Sequence, residues 1–134
     1  MKKSSIYKYL TYLVIFAFSS VILLFSLAII WIGVEVKSSC NRAQQMYSGN
    51  CVEALIPFVE DEDQSFQDRN TAIWSLGQLG DSKALPVLET YYTGNIPERE
   101  PLDEMISQYE LKKAINLAKG GQNVTALFWR WSMN

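Results

Sequence analysis

The chain has no histidine and only two cysteines in 134 residues. Without imidazole there can be no Ser–His pair, no imidazole metal ligand, no haem axial histidine and no neutral-pH imidazole base. Two cysteines alone make a poor structural zinc site, which prefers four nitrogen or sulfur ligands. Charge is missing as well, in one place. From position 9 to position 34 there is no Asp, Glu, Lys or Arg, and before that stretch stand only Lys2, Lys3 and Lys8, with no acidic residue. In the remainder no strand alternation persists, and the apolar spacing is helical.

The charge-free run is about 26 residues, or roughly 39 Å as a helix, where a bilayer core needs about 20 residues. It predicts one transmembrane helix over 9–34, with lipid as its surroundings. By the positive-inside rule residues 1–8 are cytoplasmic, and everything after Glu35 is periplasmic or extracellular. A cleaved signal peptide has a shorter apolar core and small residues at its end. Here the run closes on Ile30-Trp31-Ile32-Gly33-Val34-Glu35. Ser38-Ser39-Cys40 resembles the end of a lipobox, but Lys37 stands where an apolar residue belongs. Tyr7, Tyr9 and Tyr12 at one end and Trp31 at the other form the expected aromatic belts. Ser19, Ser26 and Gly33 recur at sevens and make one seam of small residues, against which a partner helix can pack closely.

Beyond the span lie nine basic and all 14 acidic residues, a formal charge of −5. That balance excludes nucleic acid and anionic lipid as main partners. About a hundred residues suffice for one domain with a modest core. Cys40 and Cys51 fall in an oxidising compartment on this topology, so a disulfide is the economical reading, with two buried free thiols as the alternative. The bond would tie a stalk with a degenerate first repeat helix, 35–50, to the first folded helix.

Asn50 and Glu53 form a capping box ahead of an apolar face made by Val52, Leu55, Ile56 and Val59. The acidic run 60–63 ends that helix as a solvated loop; it lacks the glycine and spaced glutamate of a calcium-binding loop. Ser65 caps a second helix, with Ala72, Ile73, Leu76 and Leu79 facing inward and Gly80 as its stop. Asp81 caps a third, which runs to Gly94. Pro57 and Pro86 lie inside their helices and predict kinks. Pro101 fits the first position of a helix running to Gly120-Gly121, and 122–134 is an aromatic tail.

Ala54-Leu55 and Ala84-Leu85 take equivalent places in two of these helices, and Ala114, Ile115 and Ala118 echo Ala72, Ile73 and Leu76. Such self-similarity of helix pairs marks a solenoid. The stretch 68–88 resembles a HEAT repeat of the short bacterial type also seen in phycobilin lyases. Arg69, Leu76-Gly77-Gln78-Leu79-Gly80-Asp81 and Ala84-Leu85 carry the resemblance, while Asp68 stands where the pattern has an aliphatic residue. The resemblance covers roughly 41–121, with 51–121 as the repeats proper. It implies a right-handed stack of antiparallel helix pairs. The expected fold is therefore all-α, a single N-terminal transmembrane helix followed by a short HEAT-like α-solenoid of about three helix pairs.

Barely three repeats leave one end in need of a cap. Phe128, Trp129 and Trp131 have three readings: they cap the last repeat, dip into the membrane interface, or grip a partner. Trp74, Tyr91 and Tyr92 line a concave partner-binding face or belong to the core. Asn123-Val124-Thr125 fits a glycosylation acceptor. With no catalytic set, no cofactor and no small-molecule substrate expected, the chain reads as a non-enzymatic accessory subunit that binds and stabilises a larger integral membrane protein complex. The alternative is a transient adaptor, assembly factor or inhibitor acting on a membrane or exported client. The phycobilin-lyase resemblance supplies a third, enzymatic possibility.

Overall fold

The computed structural model describes residues 2–133. Met1 and Asn134, at the ends of the 1–8 and 122–134 segments, lie outside the described residues, as do the side chains of Lys2, Lys3, Ser4, Ser132 and Met133. Among the described residues every regular element is helical.

Helix α1 (Lys2–Met46) runs through the boundary expected at 34–35 without a break. No proline interrupts it, so its backbone ladder has no reason to stop. What changes at that point is the side-chain pattern. Before it, apolar side chains such as Leu13, Phe16 and Leu24 are exposed. After it, Val36, Cys40 and Ala43 form a buried stripe at i, i+4 and i+7, the spacing of one helix face. One rod is thus uncovered and apolar for half its length and packed as an ordinary domain helix for the rest. By length and composition it can cross a membrane, a test that a signal sequence near the N-terminus also meets.

A turn with Gly49 at φ 116° leads into α2 (Cys51–Glu60). The capping box is formed: Glu53 N–H donates to Asn50 Oδ1 at 3.0 Å and Asn50 N–H to Glu53 Oε2 at 3.2 Å. Pro57 sits inside α2. Helix α3 (Phe66–Leu79) is capped by Ser65 and ends on Gly80 in the left-handed conformation, as the sequence predicts. Its stripe of Ala72, Ile73 and Leu76 is fully buried. At Gly77 a methyl group would come within 2.7 Å of Ala114 Cα, so the glycine allows α3 to touch α5 (Gln108–Ala118) backbone to backbone.

Three further helix boundaries differ from the sequence expectation. A 3₁₀ turn over Ser82–Ala84 precedes α4 (Leu85–Tyr91), so Pro86 lies in the first turn, where its missing N–H has no consequence, and is no interior kink. Helix α4 stops at Tyr91 and does not reach Gly94. The Gln108 amide ends it there, donating to Tyr91 O at 3.1 Å and accepting Thr93 N–H at 2.8 Å. The helix expected from Pro101 begins only at Gln108. Asn70 and Glu100 explain the delay. Asn70 Nδ2 takes the carbonyls of Leu102 and Met105, at 2.9 and 2.8 Å, out of any helical ladder. Asn70 Oδ1 accepts Ser107 N–H at 2.8 Å. The Glu100 carboxylate then accepts the Gln108 and Tyr109 N–H groups at 2.6 and 3.2 Å, at the positive end of α5.

The short helix α6 (Ala126–Trp129) lies against α1 and is followed by a 3₁₀ turn (Arg130–Met133). One core of residues from α1 to α6 holds the domain together.

Cys40 on α1 and Cys51 at the start of α2 stand at disulfide distance, with Cα atoms 5.0 Å apart. The bond closes a short loop, for which chain entropy gives about 3 kcal/mol. Reductant should therefore lower the urea midpoint of the domain by an amount matching about 3 kcal/mol. An unchanged midpoint for the Cys40→Ser, Cys51→Ser double variant would show that the bond contributes nothing.

Candidate interaction surface

The aromatic residues do not form one face. Trp74, half-buried on α3, tilts against Trp31 of α1 with ring centroids 6.2 Å apart. Together with Glu35, Thr71, Leu102 and Glu110 these rings line a cleft of about 360 Å³ between α1, α3, the first turn of α5 and the chain ahead of it. Tyr91 and Tyr92 do not line it. Tyr91 stacks under the Arg69 guanidinium, 5.4 Å from the ring centroid, and both tyrosines pack on the edge of the core. Arg69 itself is buried and donates from Nε to Val59 O at 2.8 Å, which joins α3 to the end of α2.

The tail divides. Trp129 is buried and rests on Gly33, whose missing side chain makes the room: a methyl there would lie 3.2 Å from Trp129 Cβ. Phe128 meets Phe25 edge-on, with centroids 6.1 Å apart. Trp131 is 75% exposed. Arg130 turns the other way, and its Nε and Nη2 both donate to Gln78 O, at 2.9 and 2.5 Å, capping the end of α3. Burial pushes its pKa below the usual arginine value. Asn123, in the glycosylation-acceptor triplet, is half-buried; its Nδ2 donates to Gln78 Oε1 at 2.8 Å and its Oδ1 accepts the Ala126 N–H.

Of the small-residue seam, Gly33 is covered from within the chain by Trp129, while Ser19 and Ser26 are exposed. Ser26 Oγ donates to Ile22 O at 2.9 Å, so its polar group is satisfied inside its own helix. The exposed stretch of the seam is thus the part away from the domain.

In the acidic run, Asp61 accepts the Tyr47 hydroxyl at 2.5 Å, Gln64 Nε2 at 2.8 Å and Asp63 N–H at 3.0 Å. These donors hold its carboxyl below the usual aspartate range, the Tyr47 hydroxyl first among them, and the same bond raises the Tyr47 phenol. Asp61 thus ties the end of α2 back to Tyr47 at the end of α1. Arg42 of α1 pairs with Asp68 of α3. Among the described residues no group of three His, Cys, Asp or Glu is placed to hold a metal ion.

The contacts of Trp31, Glu35 and Phe25 with the domain escape the sequence reading, which gave Trp31 only as a belt residue. These residues lie in or beside the charge-free run, where lipid is the default surroundings, and nothing near them in sequence announces the domain residues that meet them.

The chain is thus an all-helical protein with one long apolar N-terminal helix. No family model matches it, and no solved structure does. Over 93 residues it is 36% identical to deoxyhypusine hydroxylase of Schizosaccharomyces pombe (strain 972 / ATCC 24843), a match covering 68% of this chain and 28% of that protein. The chain therefore matches little more than a quarter of that relative's length. The likeness and the helical fold are compatible with a HEAT-like fold. They also correct one expectation: the chain was expected to be no enzyme, and the named relative is an enzyme, a hydroxylase. The absence of histidine excludes particular chemistries, and a fold leaves activity open.

Proposed function

We propose that the chain is a membrane-anchored, HEAT-like accessory subunit that binds and stabilises a larger integral membrane protein complex. On this reading α1 crosses the bilayer from a cytoplasmic N-terminus. The helices from Val36 onward are a three-pair solenoid on the periplasmic or extracellular side, where Cys40 and Cys51 oxidise. The observation that carries it is α1 itself: its outer half belongs to the domain core and its inner half is uncovered. Uncovered apolar surface of that extent needs lipid or another helix. Ser19 and Ser26 offer the close-approach face for the helix, and the cleft between Trp31 and Trp74 offers concave surface on the domain.

The test is retention. In mild detergent the tagged chain should co-purify with a membrane complex in fixed proportion. Ser26→Leu should weaken that retention without impairing insertion, because a bulky group keeps a neighbouring helix away. Migration of the wild-type chain alone, at its own mass, would overturn the subunit reading and favour a transient adaptor.

The hydroxylase likeness favours a second reading, in which the helical domain takes part in a hydroxylation. Mass spectrometry of membrane proteins from cells with and without the chain tests it. A substrate that loses one oxygen atom on deletion would support it, and an unchanged set would count against it.

A further inference from the structure

We infer that the closing segment 124–131 is embedded in the outer leaflet of the bilayer, with Val124, Leu127, Phe128 and Trp131 in contact with acyl chains. This rests on the reading of α1 as a spanning helix. The charge-free run offers about 26 residues where about 20 are needed, so the outer hydrocarbon boundary falls between positions 28 and 34 whatever the register. Phe25 lies inside that boundary in every case, by about three to nine residues, or roughly 5–14 Å. Phe128 meets Phe25 edge-on. The tail helix therefore sits beside α1 at hydrocarbon depth.

Its surface fits that place. Val124, Leu127, Phe128 and Trp131 are 60%, 76%, 52% and 75% exposed, and at helical spacing they fall within one face. The opposite face carries Ala126 and Trp129 into the core and Arg130 onto Gln78. The one charge of the segment is thus turned away from the apolar side. The N–H groups of Ala126, Leu127, Phe128 and Arg130 are bonded as well, which suits hydrocarbon. Ala126 N–H donates to Asn123 Oδ1, Leu127 N–H to Val124 O, Phe128 N–H to Thr125 O, and Arg130 N–H to Ala126 O. The face is bulky, with none of the small residues that let a second helix approach closely, so lipid fits it better than a partner helix. Trp131, apolar in body and polar at its N–H, suits the interfacial layer.

The full chain in phosphatidylcholine vesicles, labelled with an environment-sensitive fluorophore at Leu127→Cys, tests this. Phe128→Cys is a second probe on the same face should the first variant fail to fold. Val14→Cys in the span and Asp63→Cys in the exposed loop serve as references. The Leu127 label should emit at shorter wavelength than the Asp63 label, be quenched by brominated acyl chains and resist aqueous iodide. Quenching by iodide to the same extent as at Asp63 would overturn the inference while a lipid-quenched Val14 keeps the anchor. Protection from both quenchers would also overturn it, since protein would then cover the face. A Val14 label not quenched by brominated lipid would remove the anchor, and the inference with it.

Discussion

Leu76→Asp should leave the domain unfolded while α1 stays helical. Leu76 is fully buried on the inward face of α3. Its loss as a packed side chain costs about 2–5 kcal/mol. The carboxylate that replaces it has no cation in the apolar core, and an uncompensated buried charge costs a further 3–5 kcal/mol or so. The sum rivals the whole stability of an ordinary domain, about 5–15 kcal/mol. Total helical content is a poor reporter, because the apolar half of α1 does not depend on the core. Protease resistance of 51–121 and the fluorescence of Trp74 and Trp129 report the packed domain. Leu76→Met, close in volume, should lose less than about 1.5 kcal/mol. A cooperative melt of Leu76→Asp within a few degrees of wild type would refute the assignment of α3 to the core.

Asn70→Leu should release the chain between α4 and α5. The Asn70 side chain is buried and serves three backbone groups, the carbonyls of Leu102 and Met105 and the N–H of Ser107. Leucine fills the volume and serves none of them. Each buried polar group left unpaired costs about 1–3 kcal/mol, so the loss is of order 3–5 kcal/mol after some relaxation. Asn70→Asp should be no better: it can still accept from Ser107, but it sets a carboxylate oxygen against two carbonyls. Amide exchange at Ser107 and protease nicking within 94–106 should both accelerate. Unchanged protection at Ser107 would show that Glu100 and the turn at Pro101 hold the segment without Asn70.

These two sites also mark what could be read from sequence. The Leu76 stripe was legible because a helix repeats its inward face every three or four residues. The caps at Asn50, Ser65 and Gly80 were legible because cap and capped group lie within a few residues of each other. The start of α5 was not. Pro101 is a sound local signal for a helix start, yet Asn70, on another helix, takes the carbonyls that the first turn would have used. The interaction surface divides in the same way. Gly33 was legible as a small residue in a seam, whereas its neighbour Trp129 comes from the far end of the chain and carries no periodic link to it. Trp129 belongs to the core while Phe128 and Trp131 remain outward; helical spacing sets the one apart from the other two, but does not say which face turns inward. The expectation of a chain without enzymatic activity came from the missing histidine, the missing catalytic set and the solenoid reading, and it is contradicted by the named relative, which is a hydroxylase.

Helix α1 runs unbroken from the charge-free run into the domain. A flexible tether would let the folded part swing freely above its anchor; a continuous helix couples the two as a shaft couples its ends. Each residue advances the helix by about 100°. One residue inserted near position 35 would therefore rotate the domain by that angle about the shaft, and would strip Trp129 from Gly33 and Phe128 from Phe25. In the proposed setting the span tilts to match the thickness of its bilayer, and the domain leans with it. Membrane thickness is thereby translated into the posture of the folded part, and the angle at which it meets a neighbour depends on the lipid it sits in.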